Sequence, residues 1–229
     1  FHNFSLHSKV VLITTFVLIV TGTIGFLLLD YDASLKNLNF GDKLLNAYFQ
    51  AVSARTAGYN SIDIASENPL TQCFTIVLMF IGASPVSTGG GIKTTTFIVI
   101  LCTVWSVFSG REETTVFKRR VDKSIVYRSL AISLTAMMVV LITTGIIMSA
   151  ENHNPDISTL DCLFEAVSAF GTVGVTTGIT PHLSEISKLS IILTMFIGRV
   201  GPVSMALAFT MRGNKKPGKI LPEGRIIVG

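Results

Sequence analysis

The sequence predicts an all-α membrane protein built from two span–pore-helix–span repeats, and three observations carry that prediction. First, 49% of the 229 residues are hydrophobic and only 14% charged, with a mean hydropathy of +0.61, a poor composition for a water-soluble domain of this length. Second, long uncharged stretches alternate with short segments holding nearly all the Lys, Arg, Asp and Glu. Lipid offers no hydrogen bonds, so such stretches must be helical. Third, the letters repeat in order. Phe49-Gln50-Ala51-Val52-Ser53-Ala54 answers Phe164-Glu165-Ala166-Val167-Ser168-Ala169, and Met79-Phe80-Ile81-Gly82 answers Met195-Phe196-Ile197-Gly198. Order-preserving echoes of this kind mark an internal duplication.

The first unit is expected over residues 1–123. Residues 10–29 carry no charge, enough at about 1.5 Å per residue to cross a hydrocarbon core of about 30 Å, and Asp30 and Asp32 close the run. Residues 44–54 are apolar but too short to span, which predicts a half-helix that enters and leaves on one side. An interrupted span is predicted over 69–109, with Pro69 opening a helix, a Ser/Thr/Gly tract breaking it at membrane depth, and apolar residues resuming at Phe97.

The second unit is expected over 124–229: a span at 129–150 ending at Glu151, a pore helix at 160–170, a span at 187–211 with Arg199 near its middle, and a basic cytosolic tail at 212–229. The opening Phe1 is not Met, and the first apolar run lacks the small-residue cleavage site of a signal peptide, which leads us to expect that residues precede it.

The formal net charge is +4, but the basic residues cluster beside apolar spans, at 111–128 and in the tail, without interleaved aromatics. They read as topology signals rather than a nucleic-acid surface, and they put the acidic half-helix loops outside and the C-terminus in the cytosol of a plasma-membrane protein. Cys73, Cys102 and Cys162 lack metal-ligand spacing, and His2, His7, His153 and His182 stand apart from any Cys or carboxylate at ligand spacing. No catalytic constellation emerges, and no enzyme or cofactor is expected.

Each half-helix runs into a Gly-containing tract, 55–60 in the first unit and 171–178 in the second. A cation leaving water needs its hydration oxygens replaced, and extended strands at Thr56, Ala57, Gly58, Tyr59 and Asn60, and at Thr172, Val173, Gly174, Val175 and Thr176, would offer carbonyls for this. The negative helix ends would add attraction. Ordinary loop glycines would explain either tract alone; two at equivalent positions favour a filter.

The break itself carries Ala83, Ser84, Pro85, Ser87, Thr88, Gly89, Gly90, Gly91, Lys93 and Thr94. It fails as a phosphate-binding loop, because Ile92 separates Gly91 from Lys93 and no strand precedes it. Irregular backbone at this depth must be buried or line water, so a movable barrier below the filter is expected, with a simple packed kink as the alternative. A charge at the bilayer centre costs about 3 kcal/mol on insertion scales, so Arg199 should face a polar partner, for which the carbonyls of the loop are available.

These residues resemble the Ktr/Trk/HKT superfamily of potassium transporters, closest to its KtrB-like subunits. The resemblance rests on Phe49 through Asn60, Met79-Phe80-Ile81-Gly82-Ala83, Gly91-Ile92-Lys93-Thr94-Thr95-Thr96-Phe97, Ser168 through Gly174, and Met195 through Arg199. It implies a potassium-channel-like pore of four repeats, of which this chain holds the third and fourth, with Gly58 and Gly174 as their filter glycines. It further implies residues 83–96 as the gate and Arg199 as its brace. By the same resemblance complete subunits form homodimers in the lipid bilayer and dock on a cytosolic nucleotide-binding, KtrA-like ring. Potassium would be the transported ion and sodium a stimulating co-ion. A sodium-conducting HKT-like transporter and a non-conducting membrane scaffold remain alternatives.

Overall fold

The structure is a computed structural model that describes residues 4–201 apart from 86, 112 and 118. Seven α-helices are described: α1 Leu6–Leu29, α2 Phe40–Ser53, α3 Pro69–Phe80, α4 Thr94–Phe108, α5 Lys123–Ala150, α6 Thr159–Gly171 and α7 Glu185–Val200. Two-residue strands β1 (Thr115–Val116) and β2 (Arg119–Arg120) pair antiparallel between α4 and α5, a hairpin that an all-helical reading did not foresee. Helices α1 and α5, at 24 and 28 residues, are long and apolar enough to cross a bilayer. Large side chains such as Phe16, Leu28, Leu134 and Met138 point outward from them, as a lipid-facing surface requires.

Long helix, half-helix, exit helix therefore occurs twice, as α1–α2–α3/α4 and α5–α6–α7. One chemical device closes both units. Asp30 follows the last residue of α1, is fully buried, and its carboxylate accepts from the backbone N–H of Asn68 at 3.1 Å and Thr71 Oγ1 at 3.2 Å. Asn68 is the residue that caps α3. Glu151 follows the last residue of α5 and accepts from Ser184 N and Ser187 Oγ, both at 2.7 Å, at the start of α7. In each unit a carboxylate at the end of the first helix thus neutralises the orphan donors at the start of the exit helix.

The half-helices begin earlier than apolar runs suggest. Helix α2 starts at Phe40 because Asp42 suits the positive end of the helix, and Lys43 is buried with its ammonium 3.5 Å from the centroid of the Tyr31 ring and donating to the Tyr31 carbonyl at 3.0 Å. Helix α6 carries a capping box, Ser158 with Asp161. Likewise α5 starts at Lys123 under the cap of Asp122, its polar first turn standing beyond the apolar span.

Helix α7 ends at Val200, where the sequence pattern predicted a continuous run. Gly201 takes φ +86°, and the residue before a proline, here Pro202, avoids the helical region. Arg199 accordingly lies in the last turn of α7. The remainder of the predicted span, 202–211, and the tail, 212–229, lie outside the described residues.

Candidate functional site

Half-helices α2 and α6 deliver their C-terminal ends to one place. Their backbones then leave the helical region identically: Thr56 and Thr172 take φ +73° and +49°, and Gly58 and Gly174, two residues later, take φ +76° and +90°. In place of a uniformly extended strand, residues of positive φ alternate with residues of negative φ. Such alternation turns successive peptide groups to the same side, whereas a plain strand would alternate them. A methyl at Gly58 would overlap the Val173 carbonyl oxygen, and one at Gly174 would stand 3.6 Å from Gly58 Cα. The two tracts touch at their glycines: at Gly58 a side chain is sterically excluded, and at Gly174 the positive φ favours glycine.

The tracts are tied back to their own half-helices by equivalent serines. Ser53 Oγ donates to the Tyr59 carbonyl and accepts from Tyr59 N at 2.9 Å; Ser168 Oγ donates to the Val175 carbonyl at 2.5 Å. Val173 and Val175 point into the core, while Gly174, Ala57, Tyr59 and Asn60 are exposed. Thr176 turns away from the tract's open side, because its hydroxyl donates to buried Glu165. Glu165 also accepts from Thr177 N at 3.2 Å and Thr180 Oγ1 at 2.9 Å. Ser53, Ser168 and Glu165 escaped sequence reasoning as site residues, although the aligned echo of the two half-helices contains all three.

The loop between α3 and α4 sits directly against these tracts. Its neck is pinched by a parallel bridge between Ile81 and Ile92, with Ile92 N donating to the Phe80 carbonyl at 3.2 Å. Thr94 N and the Ala83 carbonyl, and Thr94 Oγ1 and Ser84 Oγ, join at 3.4 and 3.3 Å, and Ser84 Oγ lies 3.4 Å from Thr15 Oγ1 of α1. Pro85 occupies the turn that follows, and Ser87 N returns to the Ser84 carbonyl at 3.3 Å. At the tip, Gly90 N donates to Thr172 Oγ1 at 2.9 Å.

Methyls on Gly89 and Gly90 would stand 2.5 Å from Thr56 Oγ1 and 2.6 Å from Thr172 Oγ1. Of the three glycines only Gly91 has positive φ. Close approach to Thr56 and Thr172 therefore accounts for glycine at positions 89 and 90. Two cations hold the loop's carbonyls: Lys93 Nζ donates to Gly89 O at 2.5 Å, and Arg199 Nη1 donates to Thr88 O. Among the described residues no group of His, Cys, Asp and Glu is placed to hold a resident metal ion.

Residues 3–216 match the TrkH family, described as cation transport protein. The chain belongs to this family. It is 40% identical over 233 residues to Ktr system potassium uptake protein B of Bacillus subtilis (strain 168), across 100% of this chain and 51% of that protein. It is 38% identical to the protein of the same name from Vibrio alginolyticus, across 100% of this chain and 50% of that one. It is 35% identical to potassium/sodium uptake protein NtpJ of Enterococcus hirae, across 98% and 50%. The chain spans about half the length of the curated relatives it matches. The crystal structure of the potassium transporter TrkH from Vibrio parahaemolyticus shares its fold, with a TM-score of 0.68 over 86% of this chain and 43% of that one at 17% identity. Family membership makes this a membrane protein of the cation-transport class.

Proposed function

We propose that this TrkH-family chain supplies two of the four filter strands of a potassium-uptake pathway, with residues 83–96 as the gate. The observation that carries the reading is the contact of the two half-helix tracts at Gly58 and Gly174, directly beside a loop whose Gly90 N–H is bonded to Thr172. Aligned carbonyls replace hydration oxygens without a fixed charge that would trap the ion. The negative ends of α2 and α6 add attraction, and the membrane potential drives entry at about 2.3 kcal/mol per charge per 100 mV. Relatives about twice as long leave room for the two further strands that close a ring. Thr172 and Thr56 receive the gate, and Lys93 and Arg199 fix its carbonyls in the closed position.

The test is rubidium uptake by cells expressing the full-length gene product. Gly58→Ser abolishes uptake on this reading, and unchanged uptake and selectivity would sink the filter assignment. Deletion of residues 89–91 leaves a leakier pathway, whereas a non-conducting scaffold would show no change in flux. The name of the Enterococcus hirae relative includes sodium, which supports a second reading with sodium as conducted ion or co-ion. Sodium and rubidium uptake measured side by side separates the two. We further propose a plasma-membrane homodimer with a cytosolic C-terminus, docked on a nucleotide-binding ring, a reading supported by the word "system" in the names of two relatives.

A further inference from the structure

Helix α4 ends in a turn that fixes the residue after it. Gly110 takes φ +66°, and Arg111 N donates back to the Ser106 carbonyl at 2.9 Å, the backbone closure of a Schellman cap. Arg120 lies on β2 and Lys123 in the first turn of α5. Three rigid elements thus bring Arg111, Arg120 and Lys123 around one pocket of about 260 Å³. Glu113 pairs with Arg120 at 2.9 Å, and Asp122 spends its carboxylate on the α5 cap. Arg111 and Lys123 have no ion pair among the described residues.

The pocket joins this charged mouth to a largely apolar wall. One turn in from the cations the wall is formed by Val107 of α4 and Val126 of α5, with Tyr127 beside them. A second turn in stand Leu130 of α5 and Thr103 of α4, whose hydroxyl is joined to that of Thr114 at 3.1 Å. A soluble anion would use the cations and leave the apolar wall idle. A phospholipid uses both, with phosphate above and acyl chain below, at the level where interfacial aromatics sit.

We propose that this pocket binds the headgroup phosphate of an anionic phospholipid from the inner leaflet. The inference rests on the membrane placement given above and is independent of the ion pathway. The binding energy near a charged surface corresponds to about fivefold in affinity per cation, and so roughly thirtyfold for two.

The full-length protein, purified in a non-ionic detergent without partner subunits, is titrated with phosphatidylglycerol or phosphatidylcholine and read by native mass spectrometry. Wild type retains phosphatidylglycerol preferentially. The double variant Arg111→Gln, Lys123→Gln binds it roughly thirtyfold more weakly, and Lys188→Gln, at a half-buried cation at the start of α7, binds it normally. Should the double variant fail to stay monodisperse, Arg111→Gln alone shows the fivefold loss. Equal retention of the two lipids, or undiminished binding by a variant that melts like wild type, overturns the proposal. Displacement of the lipid by millimolar inorganic phosphate reassigns the pocket to a soluble anion and also overturns it. Flux is not a readout, so a negative result leaves the ion-pathway reading untouched.

Discussion

Gly90→Ala tests the gate where its geometry is tightest. The added methyl would stand 2.6 Å from Thr172 Oγ1, 2.9 Å from Thr172 Cγ2 and 3.0 Å from the Gly171 carbonyl oxygen. Two of these neighbours belong to a side chain whose backbone is held in the left-handed region, and the third is backbone, so none yields cheaply. Overpacking of this kind costs about 1–3 kcal/mol. Backing the loop away to relieve the overlap would lose the 2.9 Å bond from Gly90 N to Thr172, about 1 kcal/mol, in place of the strain rather than on top of it. The seated loop is thus disfavoured by about 1–3 kcal/mol, a shift of roughly fivefold to 150-fold toward the displaced state. For a loop seated about 99% of the time, that range reaches the point where the unseated form dominates. Basal rubidium uptake at equal expression, without any stimulating partner, is the assay. Uptake should rise markedly in the alanine variant. Wild-type basal flux in a variant that is correctly inserted would refute the claim that Gly90 seats the gate.

Three other outcomes follow from named contacts. Arg199→Gln weakens the hold on the Thr88 carbonyl and should raise basal uptake in the same assay, less than Gly90→Ala because Lys93 still holds Gly89. Glu165→Leu leaves buried Thr177 N without its acceptor, at about 1–3 kcal/mol, and leaves the Thr176 and Thr180 hydroxyls only each other, and should erode potassium-over-sodium selectivity measured by competitive uptake; Glu165→Gln should keep most of it. Glu67, in the loop before α3, is pushed up to about 8, first by burial and then by Asp30 and Asp63. Its folded-state value is raised, so the folded state holds the extra proton, and stability is full below about pH 4.5 and is lost as pH rises through about 8. Glu67→Gln should therefore melt like wild type at pH 5 and at a higher temperature at pH 9, in a thermal scan of the purified full-length protein.

The fold was legible where length and polarity decide structure. An apolar run of 44–54 cannot cross a bilayer, and α2 indeed stops at Ser53; the break after Phe80 was marked by Pro85 and three successive glycines. What escaped depends on partners distant in sequence. Asp30 reads only as the end of a span, yet it accepts from the N-cap residue of a helix that starts 39 residues later at Pro69. The left-handed turns at Thr56 and Thr172 were invisible because threonine does not announce positive φ; the half-helix ends and the following glycines impose it. Arg199 looked mid-span because no charge interrupts the run, while Gly201-Pro202, two ordinary letters in a membrane helix, ends the described helix just beyond it.

The duplication also shows where the two units part. Both anchor their tracts with the same serine, but Gln50 stands where the second unit has Glu165. Glu165 gathers three donors from the chain beyond the tract, and so pins Thr176, Thr177 and Thr180 to α6. Gln50 is equally buried, yet its Nε2 has no partner among the described residues. The second tract is therefore clamped at both ends and the first chiefly at Tyr59. The loop belongs to the first unit, but its N–H bond at the tip goes to Thr172 of the second. On the proposed gate reading, a barrier hinged on the less restrained side and latched to the clamped one would leave without disturbing the strand that stays. The proposed pathway would then open while one of its strands keeps its carbonyls in register.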